Sequence, residues 1–216
     1  MDNLITGKYI EVNNLSKSFY KNKFLFKDLY LSFNSGKING IIGKNGSGKS
    51  TILKLLAGLV AINKKGNIYF YLNDIIVDDD LKNKYLTYNA PYINIYEEFT
   101  PLELINIYSK IKNIILTDEL LSIFYNLMND YNLSNYINVS INKFSSGMKQ
   151  RIKLVISFTF DAEYYFFDEL STNLDLVGIN ITIDNILKLK SKNKVILIAT
   201  NEKYEMDICD NILDLN

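Results

Sequence analysis

The chain contains no histidine and no tryptophan, two prolines, and one cysteine in 216 residues. A chain without histidine cannot use imidazole in catalysis. With Cys209 as its single thiol, no intrachain disulfide can form. The plain reading of Cys209 is a small buried hydrophobe, and a disulfide-free chain fits a reducing compartment. Charge of one sign is also missing: Lys plus Arg and Asp plus Glu both count 24. The basic excess with which a general nucleic-acid binder neutralises phosphates is not there, so nucleic acid is not an expected partner. No apolar run approaches the roughly 18 residues needed to span a bilayer. Residues 1–8 lack the basic-then-apolar layout of a secretory leader. The expected location is cytoplasmic, with any membrane contact made through another chain.

What is present suits one large domain or one domain with a small insert. Apolar residues make up 48 % of the chain, enough for a sizeable core. Heavy use of Asn, Ile, Lys, Tyr and Phe is the product expected of AT-rich codons and reports genome drift more than function. Short strands are expected at Tyr9–Val12 and Leu29–Phe33, with a turn at Asn34-Ser35-Gly36. A strand over Lys37–Ile42 runs into a Gly-rich loop, followed by a helix from Ser50 to Leu59 with Ile52, Leu55, Leu56 and Leu59 on one face. Helical spacing dominates from Thr100 to Ile137. Two continuous apolar runs, Tyr164–Phe167 and Val195–Ala199, predict buried strands of a parallel sheet covered on both faces. The fold class expected is α/β.

The loop Gly43-Lys44-Asn45-Gly46-Ser47-Gly48-Lys49-Ser50 fits G-x-x-x-x-G-K-[ST] and lies between a strand and a helix. Its glycines let the backbone curl so that successive N–H groups form a nest for phosphate oxygens, reinforced by the helix start. Lys49 would reach the outer phosphates, the Ser50 hydroxyl would ligate Mg²⁺, and Thr51 completes the nucleotide-binding set. Asp168 and Glu169 follow the apolar strand Tyr164–Phe167. An acidic strand end alone is more often a solvated turn. Beside a phosphate loop, Asp168 reads as the second Mg²⁺ anchor and Glu169 as the group that polarises the attacking water.

Phe144-Ser145-Ser146-Gly147-Met148-Lys149-Gln150-Arg151 resembles the LSGGQ signature of the ATP-binding cassette (ABC) transporter family, in an exporter-like form. Asp168–Asp175 resembles the family's Walker B and D-loop, with Leu170 in place of the common proline. Thr100-Pro101-Leu102-Glu103 resembles the T-x-x-E after its Q-loop, and Phe19, following Leu15-Ser16-Lys17-Ser18, matches the adenine-stacking aromatic, with Tyr20 the near alternative. The resemblance covers nearly the whole chain. It implies an α/β phosphate-loop core with a mainly parallel sheet, an N-terminal antiparallel β subdomain, and a helical subdomain inserted at about residues 88–160. Ser145, Ser146 and Gly147 open a helix that Ser145 would cap. By the resemblance, that helix end meets the γ-phosphate held by a second ATPase, a copy of this chain or a paralogue.

Two positions depart from the family pattern. The Q-loop glutamine belongs near Ala90-Pro91-Tyr92, where there is none; Asn89 and Asn94 are the nearby amides. The switch histidine is replaced in Ala199-Thr200-Asn201, where Asn201 can donate a hydrogen bond to a phosphate oxygen but cannot shuttle a proton. The resemblance implies a motor subunit that binds ATP and Mg²⁺ and drives transport through a separate integral membrane subunit. The alternatives are a soluble ATPase of cofactor assembly, DNA repair or translation, and a nucleotide-binding module with little hydrolysis.

Overall fold

The computed structural model describes residues 7–20, 23–62 and 65–216. Strands β1 (Tyr9–Tyr20) and β2 (Lys23–Asn34) form an antiparallel hairpin, and β3 (Lys37–Ile42) leads through the phosphate loop into helix α1 (Lys49–Leu56). Next come β4 (Lys65–Leu72), β5 (Ile75–Ile76), α2 (Asp79–Tyr85) and β6 (Leu86–Asn89). Helices α3 (Pro101–Ile111), α4 (Asp118–Asp130) and α5 (Ser146–Thr159) follow, then β7 (Tyr164–Asp168), α6 (Leu176–Ser191), β8 (Val195–Ala199), α7 (Lys203–Met206) and β9 (Asn211–Asp214).

Two sheets result. The smaller is antiparallel in the order β2-β1-β4-β5, and the larger is parallel in the order β6-β7-β8-β3-β9. Strand β1 runs far beyond the Tyr9–Val12 segment legible in the sequence. Its pairing with β2 shifts register after Val12, and Asn14 takes a left-handed backbone (φ 56°), so bulges bend the strand and break the alternation that would have revealed its length. Gly66 has φ 126°, and a Cβ there would sit 2.6 Å from the Leu15 Cα, so glycine alone lets β4 close on β1 at this point.

The apolar runs in β7 and β8 are fully buried. Alternate residues serve opposite faces, as the period of two requires. Tyr165, Phe167, Ile196 and Ile198 pack into the cluster shared with α3–α6, including Phe124, Tyr131 and Leu154. Tyr164, Phe166, Val195 and Leu197 pack into the other cluster with Ile10, Phe70 and the inner face of α1. The Tyr164 ring meets Phe70 edge-on at 4.8 Å, and its hydroxyl donates to the Tyr71 carbonyl at 2.7 Å, fastening β7 to the antiparallel sheet.

Helix ends follow local chemistry. Thr100 and Glu103 form the reciprocal capping box that starts α3. Helix α1 ends at Leu56, three residues before the predicted Leu59. Gly58 turns left-handed (φ 74°), Gly58 N–H donates to the Leu55 carbonyl and Leu59 N–H to the Lys54 carbonyl, which closes the helix and leaves Leu59 exposed.

Candidate functional site

The ends of β3, β7 and β8, which are neighbours in the parallel sheet, carry the phosphate loop, Asp168-Glu169 and Asn201 respectively. The crevice beyond the carboxyl ends of such strands is where open α/β sheets bind ligands. In the loop, Gly43, Gly46 and Gly48 have φ of 148°, 84° and 108°, values that side-chain-bearing residues avoid. Helix α1 starts at Gly48 with no side-chain cap, so its first amides are open to an anion. The Lys49 ammonium is held inside the loop by the carbonyls of Gly43 (2.7 Å) and Lys44 (3.3 Å). The Ser47 hydroxyl is buried against Gly43 without a hydrogen-bond partner among the described residues, a donor in want of an acceptor. Thr51 lies half-buried in the first turn of α1, while Lys44, Asn45 and Gly46 are exposed at the loop tip.

The Ser50 hydroxyl donates to Asp168 Oδ1 at 2.9 Å across 118 residues of sequence. Asp168 is fully buried, and Glu169 beside it is exposed with a left-handed backbone (φ 50°), its N–H bonded to the Ala199 carbonyl at 2.9 Å. Asn201 reaches the loop directly: its Nδ2 donates to Asn45 Oδ1 at 2.7 Å. Phosphate loop, acidic strand end and Asn201 thus lie together at one end of the sheet.

Sequence reasoning missed Tyr92. Its hydroxyl donates to Asp168 Oδ2 at 2.5 Å, and Tyr88 reaches the same oxygen at 3.4 Å while touching the Tyr92 hydroxyl. Desolvation, then the bond to Asp168, push the Tyr92 phenol well above its ordinary pKa, so it remains a donor. The Lys54 ammonium lies 4.0 Å from the centre of the Tyr92 ring. Of the two amides weighed for this loop, Asn89 turns to the buried Ser157 hydroxyl (3.0 Å), and Asn94 is exposed.

The remaining residues lie around this centre. Ser145 caps α5 through the Met148 N–H at 3.2 Å, as predicted, leaving Ser146 exposed at the helix start. A Cβ on Gly147 would come within 3.0 Å of the Asn173 carbonyl, so glycine admits the 171–175 loop against α5. Arg151 then reaches across to Asp175 at 2.7 Å. Phe19 is exposed at the end of β1, with the Lys17 ammonium 5.2 Å from its ring. Leu25 of β2 lies where a Gly48 side chain would start, which puts this hairpin end against the phosphate loop. The side chain of Tyr20, the alternative stacking residue, lies outside the described residues.

Residues 26–172 match the family described as ABC transporter. The chain is 30 % identical to the uncharacterised ABC transporter ATP-binding protein YybJ of Bacillus subtilis, over 96 % of this chain and 92 % of that protein. A solved ATP-binding subunit of an ABC transporter superposes with a TM-score of 0.85 at 25 % identity, covering 96 % of this chain and 85 % of the other. A dimeric ATP-binding cassette in a post-hydrolysis state with ADP and phosphate shares the fold at a TM-score of 0.82 and 20 % identity, over 96 % and 94 % of the two chains. With the predicted signature, phosphate loop and acidic strand end in place on this fold, the chain belongs to the ABC transporter family, as an ATP-binding subunit.

Proposed function

We propose that this motor subunit hydrolyses ATP at the crevice beyond β3, β7 and β8 and passes the resulting motion to a separate membrane subunit. The observation that carries the reading is the 2.9 Å contact between Ser50 and Asp168, which joins the phosphate loop to the acidic strand end. The loop amides and Lys49 hold the outer phosphates, Lys49 exchanging the carbonyls of Gly43 and Lys44 for phosphate oxygens. Two hard oxygen donors this close, beside a phosphate nest, fit Mg²⁺, and Ser50 and Asp168 are the residues that would hold it. The ion would neutralise charge building up on the outer phosphates. Glu169 accepts the proton of the attacking water, Asn201 donates to the γ-phosphate in place of a histidine, and Phe19 stacks on adenine.

Ser145, Ser146 and Gly147 are proposed to close the ATP site of a second ATPase, and that one structural neighbour is a dimeric cassette supports the reading. The helical segment at about 88–160 is proposed to receive the membrane subunit. Between it and the sheet lies an apolar groove lined by Leu86, Tyr88, Ile93, Tyr108 and Ile111 together with Lys112 and Lys153. Both lysines bond there to backbone carbonyls, Lys112 to Leu86 and Lys153 to Pro91, and burial lowers the pKa of each. A groove so lined suits an amphipathic segment that brings an acidic side chain. No helix among the described residues is long and apolar enough to cross a membrane; a position on the cytoplasmic face, held through that partner, is part of the proposal.

The Glu169→Gln variant tests the assignment. Turnover should fall at least a hundredfold, the order expected for loss of a general base (about 10²–10⁴). The ATP-bound dimer should then accumulate on size-exclusion chromatography. Turnover at the parent rate would remove Glu169 from the mechanism, and a variant that stays monomeric with ATP would count against the shared site.

A further inference from the structure

We propose that Tyr92 competes with the metal for Asp168, so that loading the site requires the phenol to release the carboxylate. The inference rests on the reading of Ser50 and Asp168 as the metal anchor. Both carboxylate oxygens accept from side chains. Oδ1 accepts from Ser50, and Oδ2 accepts from Tyr92 and, more weakly, Tyr88. Tyr88 has a single proton and shares it with the Tyr92 oxygen that it touches, so Tyr92 is the donor that holds Oδ2. A bound Mg²⁺ keeps several waters, which are themselves donors seeking carboxylate oxygens. Phenol and metal-bound water therefore claim the same acceptor.

Tyr92 is also placed to transmit the outcome. It lies in the segment between β6 and α3, whose Ala90, Ile93 and Ile95 line the apolar groove. This segment is tethered at both ends to α5, the signature helix. Lys153 donates to the carbonyls of Ala90 and Pro91, and Lys149 pairs with Glu97 at 2.6 Å. Release of Tyr92 thus frees one anchor of a segment that is also held by the signature helix and, at Glu97–Phe99, by residues 140–142, and the groove reshapes when metal loads.

The test is calorimetric titration of ATP into the full chain, once in excess EDTA and once in excess Mg²⁺. The parent is compared with Tyr92→Phe, Tyr88→Phe and Asp168→Asn. Tyr92 is 46 % exposed, so loss of one hydroxyl leaves the fold intact, and the EDTA affinity serves as the control for that. In Tyr92→Phe the gain in affinity on adding Mg²⁺ should exceed the parent's by about tenfold, equivalent to about 1.4 kcal/mol. The EDTA affinity should be unchanged. Tyr88→Phe, which leaves the shorter contact in place, should give a smaller increase. A metal gain in Tyr92→Phe equal to or below the parent's overturns the inference alone. A metal gain that persists in Asp168→Asn overturns the metal assignment and the inference together.

Discussion

Asp175 is the residue at which the signature helix and the loop after Glu169 are joined, and its removal has a magnitude that can be worked out. The side chain caps α6 by accepting from the Gly178 N–H at 2.9 Å. One guanidinium nitrogen of Arg151 spans both its oxygens at 2.7 Å each, while the other bonds to the Tyr131 carbonyl at 3.0 Å. Losing an N-cap costs about 1 kcal/mol. Asp175 is 60 % exposed, so the ion pair is screened and adds about 0.5 kcal/mol. Asp175→Ala should therefore cost about 1.5 kcal/mol and lower Tm by roughly 3–6 °C at this chain length. Asp175→Asn keeps a cap acceptor and should cost only the ion-pair share, roughly 1–2 °C.

The Gly178 amide, then Arg151, hold the Asp175 carboxyl below its ordinary value of 3.8. A depressed folded-state pKa gives stability that is complete above the unfolded value and lost as pH falls through the folded one. The gap between parent and Asp175→Asn should hold at neutral pH and close in acid. Differential scanning calorimetry across pH measures all of this. An Asn variant as damaged as the Ala variant would refute the cap as the main contribution, and an Ala variant with the parent's Tm would refute both.

Asn201→His should raise kcat by about tenfold, or about 1.4 kcal/mol of barrier, and leave KM for ATP nearly unchanged, because the contact matters most in the transition state. Steady-state turnover at saturating Mg²⁺ decides it, and an equal or lower kcat would mean that the Asn45–Asn201 pair has re-adapted the site around the amide. Glu205 is fully buried on α7, where it accepts from the Ser171 N–H at 3.1 Å, and burial raises its carboxyl above the ordinary 4.5. A raised acid binds its proton more tightly when folded, so stability falls as pH climbs from 4.5 through the folded value. Glu205→Gln should flatten that decline and melt higher than the parent at pH 8, whereas parallel melting profiles from pH 4 to 8 would contradict it.

The parts of the site that were legible from sequence are those whose chemistry is local. Three glycines must turn left-handed within six residues, four apolar residues precede Asp168, and Ser145 caps the helix it begins. Each leaves a pattern in neighbouring residues. Tyr92 leaves none: its partner Asp168 is 76 residues away, and it sits in an irregular segment after Pro91. The Asn45–Asn201 bond spans 156 residues, so the sequence offered Asn201 as a substitution without its new partner. In the fold, the buried strands were readable from their unbroken apolar runs. The length of β1 was hidden by bulges, and β9, Asn211–Asp214, is largely exposed at the sheet edge and mixes polar with apolar residues.

The two halves of the nucleotide crevice are built to different standards of rigidity. Asp168 ends a strand buried on both faces and pinned through Tyr164 to the second sheet, so its amides belong to the last part of the molecule to open and exchange with solvent. The proposed adenine platform, Phe19, stands 60 % exposed near the end of a bulged hairpin. Phosphates would therefore meet a buried, pinned cradle, while the base meets an exposed side chain. A flat aromatic face stacks on any purine and reads no edge of it. On the proposed placement of Phe19, GTP should be accepted nearly as well as ATP.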